Sequence, residues 1–141
     1  MISAKKIRKA LLCISHRFLY HYMRSVWGGS IWIMERKGNA FARIYWYWDD
    51  DTTIYLDNLS VSPKARKKAL GTELQIIREK IGIDFNAKYS CLWVEKNTWQ
   101  YDWYKKRGYV EIGENTDEPN SVWMEKTLTN NFETYADQNT K

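Results

Sequence analysis

Two stretches of this chain carry residue types and spacings suited to chemistry. The first is Ile54-Tyr55-Leu56-Asp57-Asn58-Leu59-Ser60-Val61, an acid among strand formers. It runs into Ser62-Pro63-Lys64-Ala65-Arg66-Lys67-Lys68-Ala69-Leu70-Gly71 and then a helix from Thr72 onward. A loop entering a helix N-terminus aims several unpaired backbone N–H groups in one direction. Those donors and the positive end of the helix dipole suit phosphate oxygens. The cations Lys64, Arg66, Lys67 and Lys68 add attraction, and small Ala69 and Gly71 let a ligand approach the backbone closely. The same residues would also make a solvated basic turn. The second stretch is Leu92-Trp93-Val94-Glu95-Lys96-Asn97, followed by Tyr101-Asp102-Trp103-Tyr104-Lys105-Lys106-Arg107-Gly108-Tyr109.

Strands and helices must hold these residues in place. Ile7, Leu11, Ile14, Phe18 and Tyr22 recur at helical spacing, which predicts an amphipathic first helix ended by Gly28-Gly29. Ile31–Arg36, Ala40–Trp48 and Thr53–Val61 read as a meander of strands, with turns at Lys37-Gly38-Asn39 and Asp49-Asp50-Asp51. Leu70, Leu74, Ile77 and Ile81 predict a helix with Gly82 at its end. Tyr89–Val94 is a strand, about Thr98 to Arg107 a short helix capped by Gly108, and Tyr109–Ile112 and Ser121–Leu128 are closing strands. Strand alternation would put Asp57, Leu59 and Val61 on one side.

At 141 residues the chain has room for one domain, read as 1–129, with a polar tail over 130–141. With 44% hydrophobic and 28% charged residues it is neither a disordered tail nor a membrane protein. Two cysteines, Cys13 and Cys91, argue against a disulfide framework and for a cytoplasmic setting. Cys13, His16 and His21 do not complete a zinc set, so no metal is expected. The net charge of +5 points to an anionic partner.

Together the two stretches resemble the GNAT superfamily of N-acetyltransferases, over about residues 30–128. The family's first motif, Arg/Gln-x-x-Gly-x-Gly/Ala after a Leu-x-Val strand, is matched in spacing by Leu59-Ser60-Val61 and Arg66-Lys67-Lys68-Ala69-Leu70-Gly71. Ala69 stands where the motif has its first glycine. The second motif, an Asn followed seven positions later by Tyr and then x-x-x-Gly-Phe/Tyr, is matched by Asn97, Tyr104 and Gly108-Tyr109. Ile54-Tyr55-Leu56-Asp57 and Tyr104-Lys105-Lys106-Arg107-Gly108 are similar to the spermidine/spermine-like polyamine branch.

The resemblance implies an α+β, three-layer GNAT-type fold. Its mixed, mostly antiparallel sheet of six or seven strands would splay between Thr53–Val61 and Tyr89–Val94, with helices on both faces. The family usually opens with a strand and two helices, where this sequence shows room for one helix. The implied reaction is direct attack of a primary amine on acetyl-CoA in a ternary complex. Such an amine, with a pKa near ~10.4, must first lose a proton, and the departing thiolate calls for one. Asp57 matches the family's strand acid, as base or as anchor for the ammonium. Tyr104 would be the general acid. Leu59, Ser60 and Val61 would bond the pantetheine through their backbone. Arg66, Lys67, Lys68, Ala69, Leu70, Gly71 and Thr72 would cradle the pyrophosphate. Asn97 would bind pantetheine amides or cap the helix beginning at Thr98. Trp46, Trp48, Trp93, Trp99, Tyr101 and Trp103 would line an acceptor pocket or belong to the core. The resemblance also brings homodimerisation as an expectation and no membrane. Two other readings stay open: a catalytically degenerate acyl-CoA-binding relative and, ranked last, a basic nucleic-acid-binding module.

Overall fold

Ile31 and Ile33, Ala42 and Ile44, and Ile54 and Leu56 each stand two residues apart, which turns every such pair to one face of a pleated sheet. All six are buried. A computed structural model describes residues 16–128, apart from the side chains of Lys67 and Lys68. Its strands are β1 (Phe18–Arg24), β2 (Gly28–Glu35), β3 (Ala40–Tyr47), β4 (Thr53–Val61), β5 (Tyr89–Glu95), β6 (Val110–Glu114) and β7 (Ser121–Thr127). They form one sheet in the order β1-β2-β3-β4-β5-β7-β6. Every pairing is antiparallel except β4 with β5.

Helix α1 (Leu70–Asp84) makes the crossover between those two parallel strands. Its Leu70, Leu74 and Ile81 are buried with the sheet isoleucines. Burying each such side chain contributes about 1.5–3 kcal/mol. Helix α2 (Trp99–Lys106) follows β5, with Thr98 as its N-cap, accepting from the Tyr101 N–H at 3.3 Å. Gly108, at φ 93°, takes the conformation expected of it beyond the helix.

Three expectations need correction. Phe18–Arg24 is strand β1, not the end of a helix; residues 1–15 of that expected helix lie outside the described residues. Its backbone groups pair with β2 from Phe18↔Glu35 to Arg24↔Gly29, a hairpin that the helical spacing of Phe18 and Tyr22 conceals. Gly28 and Gly29 end no helix; they sit in β2, where a Cβ on Gly28 would lie 1.8 Å from the Trp46 carbonyl oxygen. Gly82 lies inside α1, where a Cβ would stand 2.5 Å from Ile54 Cδ1 and 2.8 Å from Leu128 Cδ1, so any larger residue would have to displace those side-chain ends. The tail expected over 130–141 lies outside the described residues.

Candidate active site

β4 and β5 pair over only three positions, Thr53↔Tyr89, Ile54↔Ser90 and Tyr55↔Cys91. Past Tyr55 they diverge. β5 stays paired with β7 along its whole length, from Tyr89↔Thr127 to Glu95↔Ser121. β4 is bent by a bulge: Phe41 pairs with Ser60 and Arg43 with Asp57, so Asn58 and Leu59 together face Ala42. Asn58 adopts φ 54°, a left-handed conformation that Asn tolerates better than most residues. The extra residue resets the alternation. Asp57 shares its face with Ser60, while Val61 pairs with Ala40 on the opposite face, contrary to the single side expected for Asp57, Leu59 and Val61. A cleft of about 390 Å³ opens between Leu56–Leu59 and Leu92–Val94. Main-chain groups not consumed by a ladder there are free to meet a ligand.

The cleft continues toward the start of α1 as a second hollow of about 490 Å³, lined by Ser60, Val61, Arg66, Ala69, Gly71 and Thr72. The basic loop is coiled into a 3₁₀ turn over Pro63–Lys68, and Ala69 turns the chain at φ 59°, ψ 20°. No side chain caps α1. The Glu73 N–H bonds the Ala69 carbonyl at 3.0 Å. The N–H groups of the preceding first-turn residues have no intrahelical acceptor, as at any helix start, and remain available to an anion. Leu70 belongs to the core at 2% exposure, so only its backbone is placed to contribute. Arg66 lines the hollow and donates Nε to the Val61 carbonyl at 3.4 Å. Arg107 donates Nη2 to Thr72 Oγ1 at 3.1 Å and stacks on Trp103, 3.5 Å from the ring centroid. That brings a further cation to the same hydroxyl side chain of α1.

Tyr104 lines the first cleft and is 8% exposed. Its hydroxyl accepts from Arg78 Nη2 at 3.1 Å. Asp57, on the same cleft, accepts from Arg43 Nε at 2.9 Å. Arg43 also lies 4.8 Å over the Tyr45 ring, and burial, with help from Tyr47 and Asp57, pushes the Tyr45 phenol up to about 12. Trp93, Trp99 and Trp103 line the cleft as expected. The other aromatics do not. Trp46 is buried against Phe85, Trp48 donates Nε1 to the Ser25 carbonyl at 2.9 Å, and Tyr101 donates to Glu111 Oε2 at 3.3 Å. Asn97 is exposed at φ 63° and lines neither hollow; the cap it was expected to supply comes from Thr98. Asp50 closes its own turn by accepting from Thr52 N and Oγ1, bonds that hold its carboxyl below the usual range. Cys91 is a buried strand residue whose thiol burial and Glu125 push up to about 11.

The sequence profile of the acetyltransferase (GNAT) domain matches residues 27–111. This chain belongs to the GNAT acetyltransferase family. Solved GNAT-like folds agree with the architecture. One is a GNAT family acetyltransferase from Elizabethkingia anophelis with acetyl-CoA bound, at TM-score 0.61 and 12% identity over 81% of this chain and 100% of that one. Another is an acetyltransferase from Bacillus cereus, at TM-score 0.56 and 20% identity over 88% and 86%. A third is the PaiA N-acetyltransferase from Thermoplasma acidophilum in complex with coenzyme A, at TM-score 0.57 and 18% identity over 70% and 60%. No curated protein matches by sequence.

Against the usual GNAT opening, the residues between β1 and β2 are only a hairpin, closed by Ser25 N–H to the Gly28 carbonyl at 2.9 Å. Sequence reasoning missed two arginines that contact residues lining the hollows: Arg78, on Tyr104, and Arg107, on Thr72. Arg78 had a signal: it lies four residues after Leu74 and three before Ile81, a cation on the apolar stripe of α1. Arg107 stood in the quoted Tyr-Lys-Lys-Arg-Gly run, yet nothing local pointed it at Thr72. Among the described residues no helix is long and apolar enough to cross a membrane, and no cluster of His, Cys, Asp and Glu could hold a metal ion.

Proposed function

We propose that the protein moves acetyl from acetyl-CoA to a primary amine by direct attack in a ternary complex. The observation carrying this is the early end of the β4–β5 ladder, which opens a cleft leading from Tyr104 to the uncapped start of α1. A thioester arm would occupy the gap, and a pyrophosphate the hollow beside Arg66, Ala69, Gly71 and Thr72; Lys67, Lys68 and Leu70, which belong to the same sequence segment, complete the proposed phosphate-binding set. Backbone groups of Leu59, Ser60 and Val61 bind the pantetheine and polarise the acetyl carbonyl. Asp57 attracts the ammonium and receives its proton through water, its charge shared with Arg43. Tyr104 gives its proton to the departing thiolate, a transfer between groups of comparable basicity. Asn97, outside both hollows, contributes less than its motif suggests.

The test is incubation with acetyl-CoA and a panel of amines including polyamines, following free thiol. Release of thiol with at least one amine, together with N-acetylated product, supports the reading. No turnover on any amine and no thermal stabilisation by coenzyme A would overturn it. Ala69 in a left-handed conformation at the first glycine of the motif favours a second reading, a coenzyme A-binding protein without catalysis. Stabilisation by coenzyme A without product would select that one.

A further inference from the structure

Arg78 is fully buried, at 0% exposure. No acidic side chain among the described residues lies within ion-pair distance of it; neighbouring Glu79 instead meets Lys126 at 2.7 Å. Burying an unpaired cation costs several kcal/mol, so an arginine here needs a reason beyond filling space. Its partners supply one. Nη1 donates to the main-chain carbonyls of Arg43 and Asp57, both at 3.3 Å, the pair that immediately precedes the β4 bulge. Nη2 donates to Gln75 Oε1 and to the Tyr104 hydroxyl, the latter at 3.1 Å. Nε has no partner. One guanidinium thus joins α1, the β3–β4 pair on one side of the cleft, and the candidate acid on α2.

We propose that Arg78 is a positioning residue for acetyl transfer, holding the bulged strand open while aiming the Tyr104 proton into the cleft. The inference rests on the role given to Tyr104 above. Because the phenol oxygen accepts from Nη2, its own O–H proton is directed to another acceptor. When the carbon–sulfur bond breaks, sulfur keeps the electron pair. The Tyr104 O–H bond then breaks, an S–H bond forms, and the electron pair stays on the phenolate oxygen, facing the guanidinium. A proton from the acylated amine, delivered through water, restores the phenol.

The test is a double-mutant cycle of Arg78→Met and Tyr104→Phe, with Arg78→Lys as rescue. It reads kcat, KM for acetyl-CoA, the Kd for coenzyme A and the melting temperature. General acids contribute about 10²–10⁴-fold, so R78M alone should lower kcat by roughly 10–100-fold while the coenzyme A Kd moves less than about threefold. In the Y104F background, R78M should lower kcat by less than about threefold more. Lysine should recover a part of kcat, since it keeps the charge and some of the donors. If R78M does not fold, the R78K and Y104F pair runs the same cycle, with the lysine effect again vanishing beside phenylalanine. Effects that multiply in the double variant, or losses of kcat that track losses of coenzyme A binding, would overturn the positioning role while leaving turnover by the unaltered protein intact. An inactive unaltered protein would overturn the proposed function itself, and this inference with it.

Discussion

Ala69 offers a direct measure of what the turn into α1 costs the fold. It sits at φ 59°, ψ 20°, between the 3₁₀ turn and α1. For a residue with a Cβ this conformation costs about 1–2 kcal/mol. Ala69→Gly removes that strain. It also frees the unfolded chain, which returns about 0.4–1 kcal/mol of the gain. The net expectation is about 0.5–1 kcal/mol more stability, or a Tm roughly 2–4 °C higher for a chain of this size. The Glu73 N–H bond to the residue 69 carbonyl involves only backbone and should survive the change. Because Ala69 lines the hollow at the start of α1, coenzyme A should also bind more tightly once the methyl group is gone. Calorimetric melting with and without coenzyme A reads both effects. Gly108→Ala is the mirror control: at φ 93° the added methyl is strained and should lower Tm. If G108A destabilises while A69G leaves Tm unchanged or lowers it, the strain assigned to residue 69 is wrong.

Other expectations concern separate parts of the molecule. Gly71→Ala meets only Val61 Cγ2, at 3.6 Å, and should stabilise α1 by up to about 1 kcal/mol while weakening coenzyme A binding, as melting and titration would record. Cys91, raised from 9.0 to about 11, holds roughly 100-fold less thiolate near pH 8 than a free thiol and is also buried, so its alkylation, followed by peptide mass spectrometry, should be slower than in the unfolded chain by more than the thiolate factor alone. The sign of the linked pH effect follows. The folded state keeps a proton that the unfolded state releases, so this stabilisation is complete below pH 9 and is lost as pH climbs toward 11; unfolding midpoints across that range would show a decline. Lys126→Met leaves Glu79 buried without its cation and should cost about 3–5 kcal/mol, with Glu79→Gln restoring much of the loss in denaturant titrations.

The strands from β2 to β7 were legible because their apolar residues alternate locally and their turns carry Gly, Asn and Asp. The two motif stretches were legible because each is continuous in the chain, so its residue types and their spacing can be read without knowing the fold. β1 was not, since Phe18 and Tyr22 fit a helical stripe as well as a strand, and only pairing with β2 decides between them. The bulge was half legible. Of the five non-glycine residues with positive φ among the described residues, four are asparagines, at 58, 86, 97 and 120, so an Asn inside a strand run was a usable hint of broken alternation. Apart from Gln75, one turn earlier on α1, the partners of Arg78 were not legible, because they come from β3, β4 and α2, segments far apart in the chain.

Three backbone pairs are all that join β1–β4 to β5–β7 within the sheet. The molecule is thus two half-sheets stitched at one end, and beyond the stitch they are held by α1 overhead and by single side chains such as Arg78. A ligand lying in the gap would supply the missing rungs, bonding one half through the main chain of β4 and the other through that of β5. Occupancy would then brace the whole architecture rather than one pocket, tying the protein's lifetime to the supply of that ligand.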